Sequence, residues 1–171
     1  MGASILGDAF AHHTWATLRL IDACLELEPE QLETGVPGTY GSILDTMRHI
    51  VGGDAWYLFV MTEERVPNID ESSMDLRELR TVTQGHADEW PRLIAERSDP
   101  DAVVVRKHED GSQTSATMGI RLAQVLHHGS DHRSQICTAL TSLGVEPPAI
   151  DVWDYGETTG RVSEVPAPVV E

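Results

Sequence analysis

Four stretches of this chain repeat apolar residues every three to four positions, and proline or glycine clusters separate them. That period is the signature of amphipathic helices, so helix-on-helix packing limits what the chain can fold into. The first stretch, residues 5–27, carries Leu6, Phe10, Leu20, Ile21 and Cys24, with Thr17 on the same side. Pro29 and the Gly35, Pro37, Gly38 cluster mark the loop that follows. Ser42 is the expected N-cap of a second helix reaching about Glu63. Its main stripe holds Ile43, Met47, Ile50, Val51, Tyr57, Leu58 and Met61, and Trp56 with Val60 forms a second apolar side, as in a helix that touches two neighbours.

The third helix is expected over residues 75–97, with Leu76, Leu79, Val82, Trp90, Leu93 and Ile94 inward and Pro91 kinking or breaking it. Residues 102–106 and 114–118 flank an Asp110-Gly111 turn signal and read as a short hairpin or extended crossover. The fourth helix begins near Gly119 and stops near Gly144. The fold class that follows is all-α, a four-helix bundle of up-down type with a long crossover or short hairpin before the last helix. The bundle is expected to be one domain over residues 1–155. After Pro147 and Pro148 the segment with Asp151, Trp153 and Tyr155 reads as irregular, residues 156–171 as an irregular tail, and residues 163–171 as mobile.

Charge removes some functions. Lys and Arg number 12 against 28 Asp and Glu, a net charge of -16 with no basic cluster, so a nucleic-acid backbone would be repelled. The longest apolar run, residues 55–61, is far below the ~20 residues that span a bilayer, and no basic-then-apolar leader pattern opens the sequence. The expectation is a soluble, cytoplasmic protein with no membrane partner. Cys24 and Cys137 are far apart and sit among apolar neighbours at helical spacing, as buried free thiols do.

The histidines carry the chemistry. Eight are present, and chance at that density supplies about 0.4 HxxxH pairs, so the pair His128, His132 needs context. Leu122, Leu126, Gly129, Ile136 and Leu140 define the inward face of the fourth helix; His132 lies at its edge and His128 about 40° further round. One turn apart, the two imidazoles can converge on one ion. His127 points to the opposite, solvated side. For a third ligand, periodicity alone ranks His13 and His86, which fall within apolar stripes, above His49, which shares the second side of its helix with Gly53 and Trp56.

The run from His127 and His128 through His132, Arg133, Gln135 and Ile136 resembles the HxxxHRxQ signature of the DinB-like (damage-inducible) family. The stretch from Ser42 to His49 and Ile50 is similar to that family's second-helix motif, and Phe10 to Leu20, with Trp15 and Ala16, to its first helix. Asp151, Trp153 and Tyr155 resemble a C-terminal pattern of some members, so the likeness spans about residues 5–155. It implies a four-helix bundle, often a homodimer, holding one divalent ion through three histidines that map onto His49, His128 and His132. It also implies kinship with thiol-dependent transferases and with mycothiol-dependent maleylpyruvate isomerase. Where some members carry a further histidine this sequence has Gln124, so that position offers no fourth imidazole.

Three neutral imidazoles leave a divalent ion its charge and an open position, the arrangement of a catalytic site. Nitrogen ligation suits Zn or Ni foremost, with Fe and Cu as further candidates. The activity expected is an S-transfer in which a low-molecular-weight thiol, activated at the metal, attacks an electrophile. The alternatives are a metal-dependent hydrolase with His13 or His86 as proton carrier, and a non-enzymatic metal-binding stress-response module. Arg133 and Gln135 are candidates for orienting ligands or the groups behind them, with a surface salt bridge as the favoured reading for Arg133.

Overall fold

A computed structural model of the chain describes residues 4–165. In order along the chain it contains α1 (Ile5–Cys24), α2 (Pro29–Leu32), α3 (Ile43–Met61), a 3-10 turn (Glu71–Ser73), α4 (Leu76–Glu96), β1 (Val103–Lys107), β2 (Gln113–Thr117), α5 (Met118–Ser142) and α6 (Val152–Thr158). The fold is all-α apart from one antiparallel hairpin, in which Val103 pairs with Thr117 and Lys107 with Gln113. Each long helix starts on a side-chain cap that takes up an amide with no partner inside the helix. Ser4 accepts from Gly7, Ser42 from Asp45, Asp75 from Arg77 and Glu78, and Thr117 from Ile120. None of the helices is long and apolar enough to cross a membrane among the described residues.

The four long helices form a ring: α1 packs on α4 and α5, and α3 packs on the same two, so α1 and α3 face each other across the diagonal. Two apolar clusters fix the directions. One gathers Leu20 and Ile21, Ile43 and Met47, Leu79, and Ile136 and Leu140. The other gathers Phe10, Leu58 and Met61, Trp90 and Leu93, and Leu122 and Val125. The helices therefore run α1 and α5 one way, α3 and α4 the other, in place of the expected alternating up-down order. The link after α3 permits this: residues 62–75, extended, reach roughly 45 Å, while α3 itself spans about 28 Å, so the chain returns along the bundle before α4 starts.

Between the clusters every long helix contributes buried polar or small residues: His13 and Thr17 from α1, Asp54 from α3, Thr83 and His86 from α4, Gly129 and Arg133 from α5. The bundle thus has a polar waist between two oily ends.

Three local expectations are corrected. Pro91 does not break α4, which continues to Glu96; Pro91 and Ala87, whose carbonyl loses its amide partner, are both exposed, so water can take that bond. Pro29 opens the short helix α2, with its ring at a position where no helical amide is needed. Residues 152–158, read as irregular, form α6, whose N-cap Asp151 and Asp154 close a reciprocal capping box. Seven residues behind two prolines are too short for periodicity to show. Tyr155 sets its ring 5.5 Å from that of Trp15, and His12 donates from Nε2 to the carbonyl of Ile150 at 2.9 Å, which docks this segment on α1. Residues 166–171 of the expected tail lie outside the described residues.

Candidate metal centre

His49 projects from α3 toward α5, where His128 and His132 stand one turn apart. One nitrogen from each of the three lies within 4.8 Å of the others. The closest approach is Nε2 of His49 to Nε2 of His128, 2.9 Å. The ring centroids are 4.6 to 4.7 Å apart, close to mutually perpendicular, and all three side chains are half-buried. Tetrahedral coordination at ~2.1 Å needs nitrogens about 3.4 Å apart, so a slight opening of the trio suits a divalent transition metal.

The surroundings favour the lone-pair form of His128 and His49. Burial pushes His128 down to about 4, with further lowering from His132 and His49. Burial also lowers His49, as does His132, while Glu71 pulls the other way. Nδ1 of His132 lies 3.1 Å from Oε1 of Gln135, which also accepts from the backbone N–H of Tyr40 at 2.8 Å. An oxygen there accepts from both, so Nδ1 of His132 carries the hydrogen and its Nε2 keeps the lone pair. Tyr40 stacks on His49 at 4.0 Å and 7°.

The third ring of this trio is therefore His49, and neither His13 nor His86. His13 is fully buried in the waist, donating from Nε2 to Oδ2 of Asp54 at 2.8 Å. Nη1 of Arg133 lies 3.1 Å from Nδ1 of His13; a guanidinium only donates, so that nitrogen is the acceptor. His86 is also buried, and its Nδ1 has no hydrogen-bond partner among the described residues. His127 is exposed, as its helical direction requires. Arg133 is no surface salt-bridge partner: it is buried and spends its donors on His13, on Thr17 at 3.1 Å and on Ser130 at 3.2 Å. Its register explains this, since it follows Gly129 by one turn on the inward face.

Two glycines make room for rings. A Cβ on Gly53 would come within 2.8 Å of Cε1 of His128, and one on Gly129 would overlap the ring of His13. Likewise Gly52 leaves space for the carboxyl group of Glu71, which a Cβ would displace. Glu71 lines a cleft of about 560 Å³ with Tyr40, Gly41, Asp45, Arg48, His49 and Ser72, so the trio meets the cleft through His49.

Tyr40, Glu71 and Asp54 are the residues sequence reasoning missed. Asp54 had a signal, because a carboxylate stands where the Met47, Ile50, Val51, Leu58 stripe calls for an apolar side chain. Tyr40 and Glu71 lie outside the helices and had none. The two cysteines are free, and burial pushes Cys24 up to about 12 and raises Cys137 as well.

No curated protein matches this sequence. The model of the DinB family matches residues 1–165. With its helical bundle and its histidine trio on α3 and α5, the chain belongs to the DinB family.

Proposed function

We propose that His49, His128 and His132 hold one divalent transition metal, Zn or Ni foremost, and that the protein is an S-transferase for a low-molecular-weight thiol. The observation that carries the reading is the convergence of three imidazoles, one of them oriented by Gln135, beside a cleft large enough for a small molecule. When bound, an ion held by neutral ligands supplies the positive charge that ionises a thiol at neutral pH.

The chain's own thiols do not compete for this role. Cys24 is buried and its ionisation is pushed far above neutrality, and burial disfavours the thiolate of Cys137, so the sulfur comes from a cosubstrate. Glu71, seated over Gly52 in the cleft wall, is placed to take the proton that the thiol gives up. The thiolate sulfur then bonds to the electrophilic carbon as the bond from that carbon to its leaving group breaks. Tyr40 and the aliphatic stem of Arg48, whose Nε donates to the carbonyl of Met74 at 2.9 Å, form fixed walls against which the electrophile rests.

The test is a panel of bacillithiol, mycothiol, glutathione and coenzyme A against aryl halides, epoxides and maleylpyruvate, run with wild type and with His49→Ala. At least one thiol raises the wild-type rate above the His49→Ala background if the reading holds. Hydrolysis of esters or amides without thiol would replace it with the hydrolase. A metal-loaded protein silent throughout would favour a binding module.

A further inference from the structure

We propose that Asp54 is a positioning residue for the metal centre, its Oδ1 accepting, through one buried water, the hydrogen carried by Nδ1 of His128. The proposal rests on the metal-binding reading of the histidine trio and is independent of the thiol chemistry.

With the metal held at Nε2 of His128, the atom that faces His49, its Nδ1 is the nitrogen that carries the hydrogen. That Nδ1 is buried and has no hydrogen-bond partner among the described residues. Asp54 presents the complementary orphan: Oδ2 accepts from His13, whereas Oδ1 is buried and has no donor among the described residues. A buried donor and a buried acceptor each left alone cost free energy that one link between them would recover.

The packing brings the two orphans to one level of the bundle. The ring of His128 fills the space over Gly53, the residue before Asp54, with Nδ1 3.3 Å from where a Cβ would stand. Conversely the ring of His13, which holds Asp54, fills the space over Gly129, the residue after His128. The facing helices α3 and α5 therefore interlock at Gly53 and His128, with His13 holding Asp54 beside Gly129. No direct bond joins the two orphans, and a bridging water serves such a pair. Such a water needs two to four polar partners, and Nδ1 of His86 is a third buried orphan of the waist among the described residues. The consequence is a carboxylate that sets the tautomer and orientation of a ligand ring and raises its basicity, a role whose loss typically costs 10–100-fold in metal affinity.

Asp54→Asn tests this with little change of shape. His13 Nε2 still needs an acceptor, so the amide oxygen turns to it and the amide NH2 faces the His128 side, which removes the anionic acceptor at the far end of the water link. Zinc affinity of the variant, measured by calorimetry, falls roughly 10–100-fold relative to wild type. In metal-loaded wild type with 15N-labelled histidine, the Nδ1–H of His128 gives a solvent-protected imidazole signal, which moves and exchanges faster in Asp54→Asn. That wild-type spectrum decides the matter even if the variant fails to fold. A His128 Nδ1–H that exchanges freely, or a folded variant that binds zinc within twofold of wild type, overturns the proposal. A wild type that binds no zinc fails the metal reading itself.

Discussion

Oε1 of Gln135 lies 3.1 Å from Nδ1 of His132 and accepts, at 2.8 Å, from the backbone N–H of Tyr40, so one amide fixes both a ligand ring and the loop that covers it. Gln135→Leu removes the acceptor for His132 and should lower zinc affinity roughly 10–100-fold while the fold persists. Gln135→Glu keeps an acceptor and should stay within about tenfold of wild type. Calorimetric titration of both variants checks this, and an unaffected Gln135→Leu contradicts it.

Gly53 and Gly129 should respond oppositely to alanine, although both are helical. At Gly53 the obstacle is the half-buried His128 ring, which can turn away. Gly53→Ala should therefore keep or gain stability, up to ~1 kcal/mol from helix propensity, and lose zinc affinity by about tenfold or more. At Gly129 the obstacles are the enclosed His13 ring and the Arg133 guanidinium. Gly129→Ala should destabilise by about 1–3 kcal/mol. Urea midpoints beside zinc titrations check the pair, and a stabilised Gly129→Ala would count against the packed waist.

His86 makes stability depend on pH. Burial lowers its proton affinity below the usual value, with His13 adding to this and Asp54 and Glu89 opposing it. The unfolded chain therefore binds the proton more readily than the folded one. Stability from this site is full above about pH 6.5 and is lost as the pH falls through the lowered folded value. The metal-free protein should show a lower urea midpoint at pH 5.5 than at pH 7.5, and His86→Gln should reduce that difference. A difference of the same size in the variant would show that the loss originates elsewhere.

The long helices were legible because each buries a stripe several turns long, and period alone reveals that. Helix direction was not, because it depends on residues 62–75, which lack a period and run back along the bundle. The pair His128, His132 could be read from one helix. His49 could not, since its ring points out of the apolar stripe toward a groove that exists only once α3 meets α5; resemblance supplied it. Arg133 misled for the converse reason: a charged residue on an inward register reads as surface until Thr17 and His13 are seen around it.

The central claim is that one ion sits among His49, His128 and His132. Zinc titration of metal-free, untagged protein by calorimetry tests it most directly, with the four variants His49→Ala, His128→Ala, His132→Ala and His127→Ala beside wild type. One site per chain in wild type, lost in the first three variants and kept within a few-fold in His127→Ala, is the predicted result. No binding by wild type, or equal losses in all four variants, would contradict it.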